Sequence, residues 1–244
     1  LSKDLTKEEF VSKVLEGLTQ PPQYFPKNAQ MNKQVNTEID KVLEKGLSPM
    51  TIAQYKHQLT LNDVLLLDVR TPEAFAEKHI PNAIFIGLDG TFAPWVGALI
   101  KNINQPIILV TPEGREEEAV TRLSRIGYDN VLGYISGGVA SWEKEQLYVE
   151  NIPCVTPDKL EVSESMSLVD VRRPGEYAES HIKDATHLPL DYIYENMTQI
   201  DKDKYHHVYC AGGYRSVVAI SILKKAGFKN LINIEILFVK GKFI

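Results

Sequence analysis

The chain contains an internal duplication, which restricts its possible folds more than any other feature. Residues 65–83 align with residues 167–185, and both segments carry Asp-Val-Arg, then a proline, then a His-Ile pair. Asp170 follows Asp68 by 102 residues, and a later match keeps a separation of 100 residues. A repeat of about a hundred residues is long enough for a complete small domain, so we expect two copies of one domain with two small cores.

Each copy has a pattern of strands that alternate with helices. The apolar runs 64–69 and 168–171 are bounded by turn residues, which is typical of buried parallel strands. In the first copy a second strand (107–110), a helix (116–126) and a third strand (131–135) follow. Alternation of this kind predicts a parallel sheet covered on both faces. The predicted fold class is therefore α/β, with two such domains, each a small parallel sheet flanked by helices, preceded by a helical N-terminal segment.

In the second copy a cysteine stands where a strand meets a helix. The β-favouring run 208–210 ends at Cys210, and we expect a helix to begin at Arg215 or Ser216. Ligands of parallel sheets bind at the carboxyl ends of strands. Free N–H groups and the helix dipole stabilise an anion there, and such settings lower a thiol pKa from about 8.5 to roughly 3.5–7.5. Cys210 is therefore the candidate nucleophile, and the loop that would bind the anion comprises Ala211, Gly212, Gly213, Tyr214, Arg215 and Ser216.

The loop residues differ in what they can contribute. Gly212 and Gly213 allow positive φ, so that several N–H groups can converge on one anion. Arg215 supplies a permanent cation at the end of the loop, or pairs with a carboxylate such as Asp170. Ser216 either caps the helix or donates a hydrogen bond to the sulfur anion. Tyr214, between them, is expected to shape the mouth of the pocket.

Other polar residues recur in both copies. His79 and His181 occupy the same turn, and because the first copy lacks a nucleophile, a structural role is favoured over metal binding. Asp68 and Asp170 are expected to anchor the strand ends. Asp170 and Arg172 are also predicted to lie near the pocket, where they would position the residues that contact the substrate without touching it themselves. No metal site is predicted in this chain.

Taken together, these motifs resemble a known family. Asp-Val-Arg-x-Pro-x-Glu-Tyr, His-Ile-x-x-Ala and Cys-x-x-Gly-x-Arg-Ser, within residues 48–244, are similar to those of rhodanese (sulfurtransferase) domains, and the duplication resembles a tandem rhodanese. The resemblance implies that Cys210 accepts sulfane sulfur from thiosulfate or a low-molecular-weight persulfide, and that a nucleophilic acceptor then removes it. It also implies that the partners are small sulfur-containing anions and thiols, and that the only intermediate is a covalent persulfide, without a cofactor.

The first copy is expected to be inactive. At a separation of 100 residues Val110 occupies the cysteine position, and Arg115 alone persists from the loop. Glu113, Glu116 and Glu117 would repel an anionic substrate, although they suit the first turn of a helix.

Two other functions compete with sulfur transfer. Related phosphatases of this fold place five residues between cysteine and arginine, whereas four separate Cys210 from Arg215 here, which favours sulfur over phosphate. The remaining alternative is a non-catalytic module that binds a protein or senses persulfide.

The chain divides on this basis into 1–47, an inactive copy at 48–150 and an active copy at 151–244. A helix is predicted over 1–20 and a connector helix over 36–46. The aromatic stretch after the first helix makes the segment resemble the tail of a metallo-β-lactamase-fold hydrolase of the persulfide dioxygenase and glyoxalase II group. The whole then resembles the C-terminal part of a bacterial metallo-β-lactamase–rhodanese fusion. Iron or zinc is expected only in such a preceding domain, which is a possible partner, as is a second copy of the chain.

Bulk properties exclude several classes of protein. The net charge of −5 argues against nucleic acid as the main partner, and no apolar run is long enough for a membrane span. Two cysteines and no visible signal peptide indicate a cytoplasmic location. Cys154 is expected to be a buried structural residue, and His206 and His207 a solvated strand edge. The C-terminal run 236–244 lacks the Gly-Gly and Trp that close the first copy, which leaves the activity of the second copy open.

Overall fold

The computed structural model describes residues 5–15, 39–160, 166–235, 238–239 and 242–243. Among these described residues the first elements are α1 (Lys7–Leu15) and α2 (Ile39–Gly46), which confirms a helical N-terminal segment. The aromatic stretch 23–32 lies outside the described residues. No helix in the described ranges is long and apolar enough to cross a membrane.

The first copy is a five-stranded parallel sheet with helices on its faces. Its strands run in the order β1-β5-β4-β2-β3, and every neighbouring pair is parallel. The elements in chain order are β1 (Pro49–Met50), α3 (Ile52–Leu61), β2 (Leu65–Asp68), α4 (Pro72–Glu77), β3 (Ile84–Phe85), α5 (Phe92–Leu99), β4 (Ile107–Val110), α6 (Glu116–Ser124), β5 (Val131–Ile135) and α7 (Gly138–Lys144).

The second copy repeats this arrangement in the order β6-β10-β9-β7-β8, again all parallel. The α/β fold class is thus confirmed for both copies. The elements are β6 (Cys154–Val155), a 3₁₀ turn (Pro157–Lys159), β7 (Ser167–Asp170), α8 (Pro174–Glu179), β8 (Thr186–His187), a 3₁₀ turn (Leu190–Tyr192), α9 (Ile193–Asn196), a 3₁₀ turn (Met197–Gln199), β9 (His206–Tyr209), α10 (Tyr214–Lys225) and β10 (Leu231–Ile234). An antiparallel pair, β11 (Phe238–Val239) and β12 (Lys242–Phe243), follows.

The two copies do not have separate cores, contrary to expectation. The largest cluster of buried apolar side chains is continuous from α2 through both sheets to β10. The reason is α10, whose residues 216–223 are all buried, because one face covers its own sheet and another packs on β3 of the first copy.

The polar contacts between α10 and the first copy include two hydrogen bonds near β3. The Phe85 N–H donates to Ser221 Oγ at 3.0 Å, and the Tyr214 hydroxyl donates to the Gly87 carbonyl at 3.0 Å. Both bonds lie at or just beyond β3, so the helix that follows the candidate nucleophile is fixed to the neighbouring copy.

The predicted solvated edge at His206 and His207 is wrong. β9 is the middle strand of its sheet, and His206 is 2% exposed. Its ring nitrogens lie 2.7 Å from Ser167 Oγ and 2.6 Å from the Asp201 carbonyl. Polar ring atoms in a sheet centre need such partners, and β7 and the preceding turn provide them.

Candidate active site

Strand β9 places Cys210 at the carboxyl edge of the second sheet. The Val171 N–H donates to the Tyr209 carbonyl at 3.1 Å, so the chain is held by β7 up to the residue before the cysteine. Cys210 is only 1% exposed, yet it lines a cleft of about 660 Å³ between the two copies. The cleft offers small ligands a route to Cys210, and the low exposure of this residue shields it from bulk water.

The loop after Cys210 turns into α10 through a single left-handed residue. Gly213 has φ of 80° and is the N-cap of the helix, whereas Gly212 does not adopt positive φ. Ala211 and Gly212 complete the loop. The helix begins at Tyr214, one or two residues earlier than expected. Its first N–H groups have no acceptor within the helix, so they and the helix dipole favour negative charge at this end.

Ser216 contacts the sulfur but does not cap the helix. It is the third residue of α10, and its Oγ lies 2.9 Å from the Gly213 carbonyl and 3.5 Å from Cys210 Sγ. A hydroxyl has one hydrogen to donate. With a thiol, Ser216 donates to Gly213 and accepts from sulfur; with a thiolate, it can turn and donate to the sulfur anion.

Arg215 is engaged by Glu176, not by Asp170. Its two terminal nitrogens lie 2.5 and 2.8 Å from the Glu176 carboxylate, which comes from α8. The guanidinium holds the pKa of Glu176 below its ordinary value, and the carboxylate raises the pKa of Arg215. Arg215 and Glu176 line the same cleft as Cys210, so the ion pair lies in the wall of the candidate site.

Asp170 and Arg172 form a buried ion pair, called the brace below, at the carboxyl end of β7. Arg172 donates to both carboxylate oxygens of Asp170, at 2.7–3.0 Å, and to the Ser180 carbonyl at 2.6 Å. Neither residue lines the cleft. Asp68 and Arg70 repeat this brace in the first copy, with Lys78 providing the carbonyl. The arrangement orients the turn after each strand.

The two histidines of the repeated turn lie against aromatic rings. His79 stacks on Phe75 at 4.0 Å between centroids, and His181 stacks on Tyr177 at 3.8 Å. Each Nδ1 lies 2.8 Å from the carbonyl of that same aromatic residue. These contacts support the structural role. Within the described part of the chain, no group of three or more His, Cys, Asp or Glu residues could hold a metal ion.

The strand register corrects the comparison between the two copies. Asp68 pairs with Val110, whereas Asp170 pairs with Tyr209. The first-copy counterpart of Cys210 is therefore the residue after Val110, which is Thr111, and the prediction that Val110 holds the cysteine position is wrong.

The glycines of the two loops agree with this register. Gly114 has φ of 79°, matching the 80° of Gly213 three residues after the cysteine. Arg115 then corresponds to Tyr214, and Glu116 takes the place of Arg215. The prediction that Arg115 persists from the active loop is therefore wrong as well, because a carboxylate stands at the position of Arg215.

The first-copy loop uses these residues for local contacts. Thr111 Oγ1 donates to Glu116 Oε1 at 3.0 Å, and Arg115 pairs with Asp89 and Glu118, both at 2.8 Å. Glu116 and its neighbours occupy the first turn of α6, as expected. With a hydroxyl instead of a thiol and a carboxylate instead of a guanidinium, this loop is unsuited to bind an anion.

Tyr214 connects the loop to the first copy as well as forming part of the cleft wall. Its ring packs edge-on against Phe85 at 5.6 Å, in addition to the hydrogen bond to Gly87. A Cβ on Gly90 would lie 2.3 Å from the tyrosine ring, so only glycine fits there.

Most of the cleft wall was not apparent from the sequence. The residues that line it and had no predicted role come from both copies: Arg70, Thr71, Pro72, Glu73, Gly87, Asp89, Gly90, Thr91, Trp95, Arg173 and Glu176. Glu176 stands in the Pro-x-Glu-Tyr motif and could have been suspected. Trp95 carried no such signal, because its place in the cleft depends on how the copies pack.

Cys154 is exposed, not buried as expected. It lies on the edge strand β6, where Asn233 Nδ2 approaches its sulfur at 3.6 Å. Partial burial raises the pKa of its thiol. Cys210, which lines the cleft and follows a central strand, remains the better candidate for the nucleophile.

Comparison with known proteins identifies the family. A family model described as the Rhodanese-like domain matches residues 51–145 and again 158–236, and the chain belongs to this family of α/β domains. The putative sulfurtransferase YtwF of Bacillus subtilis is 38% identical over 78 residues, which cover 32% of this chain and 75% of that protein.

Two further relatives also have names that refer to the transfer or carriage of sulfur. A sulfurtransferase of Allochromatium vinosum is 37% identical over 77 residues, covering 32% of this chain and 72% of that protein. The putative sulfur carrier protein YrkF of Bacillus subtilis is 33% identical over 76 residues, covering 31% of this chain and 41% of that protein. The match thus spans less than half of the sulfur carrier protein.

Proposed function

We propose that this chain is a sulfurtransferase that carries sulfane sulfur on Cys210. The observation that supports this most is the position of Cys210, which lines the cleft and precedes the short loop that leads into the N-terminus of α10. The names of the two sulfurtransferase relatives agree with the proposal. The sulfur donor is thiosulfate or a low-molecular-weight persulfide.

The reaction proceeds in two displacements. The Cys210 thiolate attacks the outer sulfur of thiosulfate, the S–S bond breaks, and sulfite leaves with the bonding electron pair. Cys210 then carries a persulfide anion, which the loop N–H groups and Ser216 are placed to stabilise. A nucleophile such as cyanide, sulfite or a thiol attacks the outer sulfur and releases the Cys210 thiolate.

The engagement of Arg215 favours sulfur over phosphoryl transfer. A phosphatase loop would need this guanidinium to bind the phosphate oxygens in bidentate fashion. Here Glu176 already occupies both terminal nitrogens, at 2.5 and 2.8 Å. The short loop and this ion pair together suit a single sulfur anion.

The replacement Cys210→Ser tests the proposal. Thiosulfate:cyanide turnover should be lost, because a serine hydroxyl cannot form the persulfide, while Cys154→Ser should retain it as a matched control. Unchanged turnover in Cys210→Ser would refute the proposal.

Mass spectrometry separates catalysis from sensing. After thiosulfate treatment, Cys210 should gain the mass of one sulfur atom, and added sulfite should remove it. An adduct that persists in sulfite would instead indicate a persulfide-sensing or interaction module.

We further propose a wider context, supported only by the resemblance of residues 1–47. The chain would be the C-terminal part of a bacterial, cytoplasmic metallo-β-lactamase–rhodanese protein of the persulfide dioxygenase type, active in sulfide or persulfide detoxification. Iron or zinc would belong to the preceding domain, and self-association would be a separate property. The gene sequence upstream of Leu1 tests this directly, since it should encode metal-ligand motifs such as His-x-His-x-Asp-His.

A further inference from the structure

A second cavity shares part of its wall with the loop after Cys210 but does not include that cysteine. Gly212 and Gly213 line it, together with residues of both copies. Its volume is about 390 Å³, which lies within the range of sites for small organic ligands, roughly 300–1,000 Å³. The reaction at Cys210 makes no use of this cavity.

The polar part of its wall is acidic. Glu73, from α4 of the first copy, and Glu235, which follows β10 of the second, both line the cavity and are both exposed. In the part of the chain that the structure describes, neither carboxylate takes part in an ion pair, and no Lys, Arg or His lines the cavity. Two carboxylates in a wall without a cation favour a positively charged ligand.

A buried amide adds a third acceptor to this wall. Asn233, in β10, lines the cavity and is only 2% exposed. Its Nδ2 lies 3.6 Å from the sulfur of Cys154, whereas its Oδ1 has no hydrogen-bond partner among the described residues. An unpaired buried amide oxygen is unfavourable and is rare in native proteins. The unpaired oxygen therefore indicates a ligand that donates a hydrogen bond from within the cavity.

The rest of the wall suits a short hydrocarbon chain attached to a cation. Pro72, Ala76 and Val217 provide apolar surface there. An ammonium group has three N–H donors and no acceptor, which matches a wall with two carboxylates and an amide oxygen. Because no group of three or more His, Cys, Asp or Glu residues in the described ranges could hold a metal ion, an organic cation fits better than a metal ion.

We propose that the second cavity binds a small aliphatic amine in its ammonium form. Glu73 and Glu235 neutralise the ammonium charge, and Asn233 Oδ1 accepts one of its hydrogens. The hydrocarbon chain lies against Ala76 and Val217. Binding makes or breaks no covalent bond and involves no sulfur transfer, so the inference goes beyond the proposed function and does not depend on it.

Isothermal titration calorimetry of the whole chain with n-butylamine tests the inference. At neutral pH and constant ionic strength the amine is protonated, because alkylammonium groups titrate well above neutrality. We expect saturable binding, and we expect Glu73→Gln and Glu235→Gln each to weaken it by about 10-fold, since each removes a charged acceptor. Both side chains are exposed, so these variants should keep the fold, which far-UV circular dichroism checks.

One ligand and one variant serve as matched controls. n-Butanol has the same chain length without the charge and should bind far more weakly than n-butylamine. Glu77 is exposed and lies on α4 with Glu73 but does not line the cavity, so Glu77→Gln should bind n-butylamine like the unmodified chain. The inference is overturned by a lack of saturable binding, by equal affinity for n-butanol, or by unchanged affinity in both cavity variants.

Cys154 makes it possible to locate the bound amine. Its thiol is exposed and lines the second cavity. In Cys210→Ser, which leaves Cys154 as the only thiol, alkylation with N-ethylmaleimide places a bulky group in the cavity and should abolish the binding of n-butylamine. Binding that persists after complete alkylation would place the amine elsewhere and overturn the assignment. Turnover is measured in none of these experiments, so their outcome is separate from that for sulfur transfer.

Discussion

The left-handed backbone of Gly213 gives a quantitative test of the proposed catalytic loop. At φ of 80° an added Cβ would meet no atom within 4 Å, so an alanine there would suffer backbone strain alone. That strain is about 1–2 kcal/mol. We therefore expect Gly213→Ala to lower the free energy of unfolding by about that amount. A loop that relaxes to avoid the strain would move its N–H groups away from the sulfur, and a shift of about 1 Å costs on the order of 100-fold in rate.

Two neighbouring glycines provide matched controls. Gly212 has open space around it and no positive φ, so Gly212→Ala should stabilise the chain by about 0.4–1 kcal/mol. Gly114 has the same φ and the same open space as Gly213, so Gly114→Ala should lose as much stability with no loss of turnover. Urea unfolding followed by far-UV circular dichroism, with thiosulfate:cyanide turnover, measures both quantities. Equal stability and turnover in Gly213→Ala and Gly212→Ala would refute the reasoning.

Two further predictions concern stability. Tyr214→Phe removes the hydrogen bond to the Gly87 carbonyl and should lower the free energy of unfolding by about 1 kcal/mol in urea titrations; no change would mean that this bond contributes nothing to docking. Burial lowers the pKa of His79 to about 4, below the value of about 6.5 expected in the unfolded chain, so protonation favours unfolding and stability should fall as pH drops from 6.5 to 4. In His79→Gln the melting temperature should fall less over this window, and an identical slope would contradict a neutral, buried histidine.

The sheets could be predicted because fully buried parallel strands have a simple signature. Ile107–Val110 is apolar at every position, since both faces of β4 are covered. The exact counterpart of Cys210 could not be predicted in the same way. Tyr209 follows Asp170 by 39 positions in the second copy, whereas Val110 follows Asp68 by 42 in the first. The sequences between these points are too different to show where the length changes, so only the strand register locates Thr111.

Side-chain partners depended on tertiary packing that the sequence does not encode locally. Both Asp170 and Glu176 are carboxylates far from Arg215 along the chain, and α8 places Glu176 beside the guanidinium. The identity of Cys210 as candidate nucleophile needed only the order of strand, glycine loop and helix. The cleft wall at Trp95 needed the geometry of two copies together.

The continuous burial of α10 has a consequence for the history and the engineering of this chain. Domains that share a buried helix cannot be exchanged as modules: deleting the first copy would expose the face of α10 that packs on β3 and remove the hydrogen bonds that Ser221 and Tyr214 make with Phe85 and Gly87. Selection on the second copy therefore also acts on the first, even at positions remote from any reaction. A duplicate that has no nucleophile can in this way be retained, because α10 of the other copy packs on it.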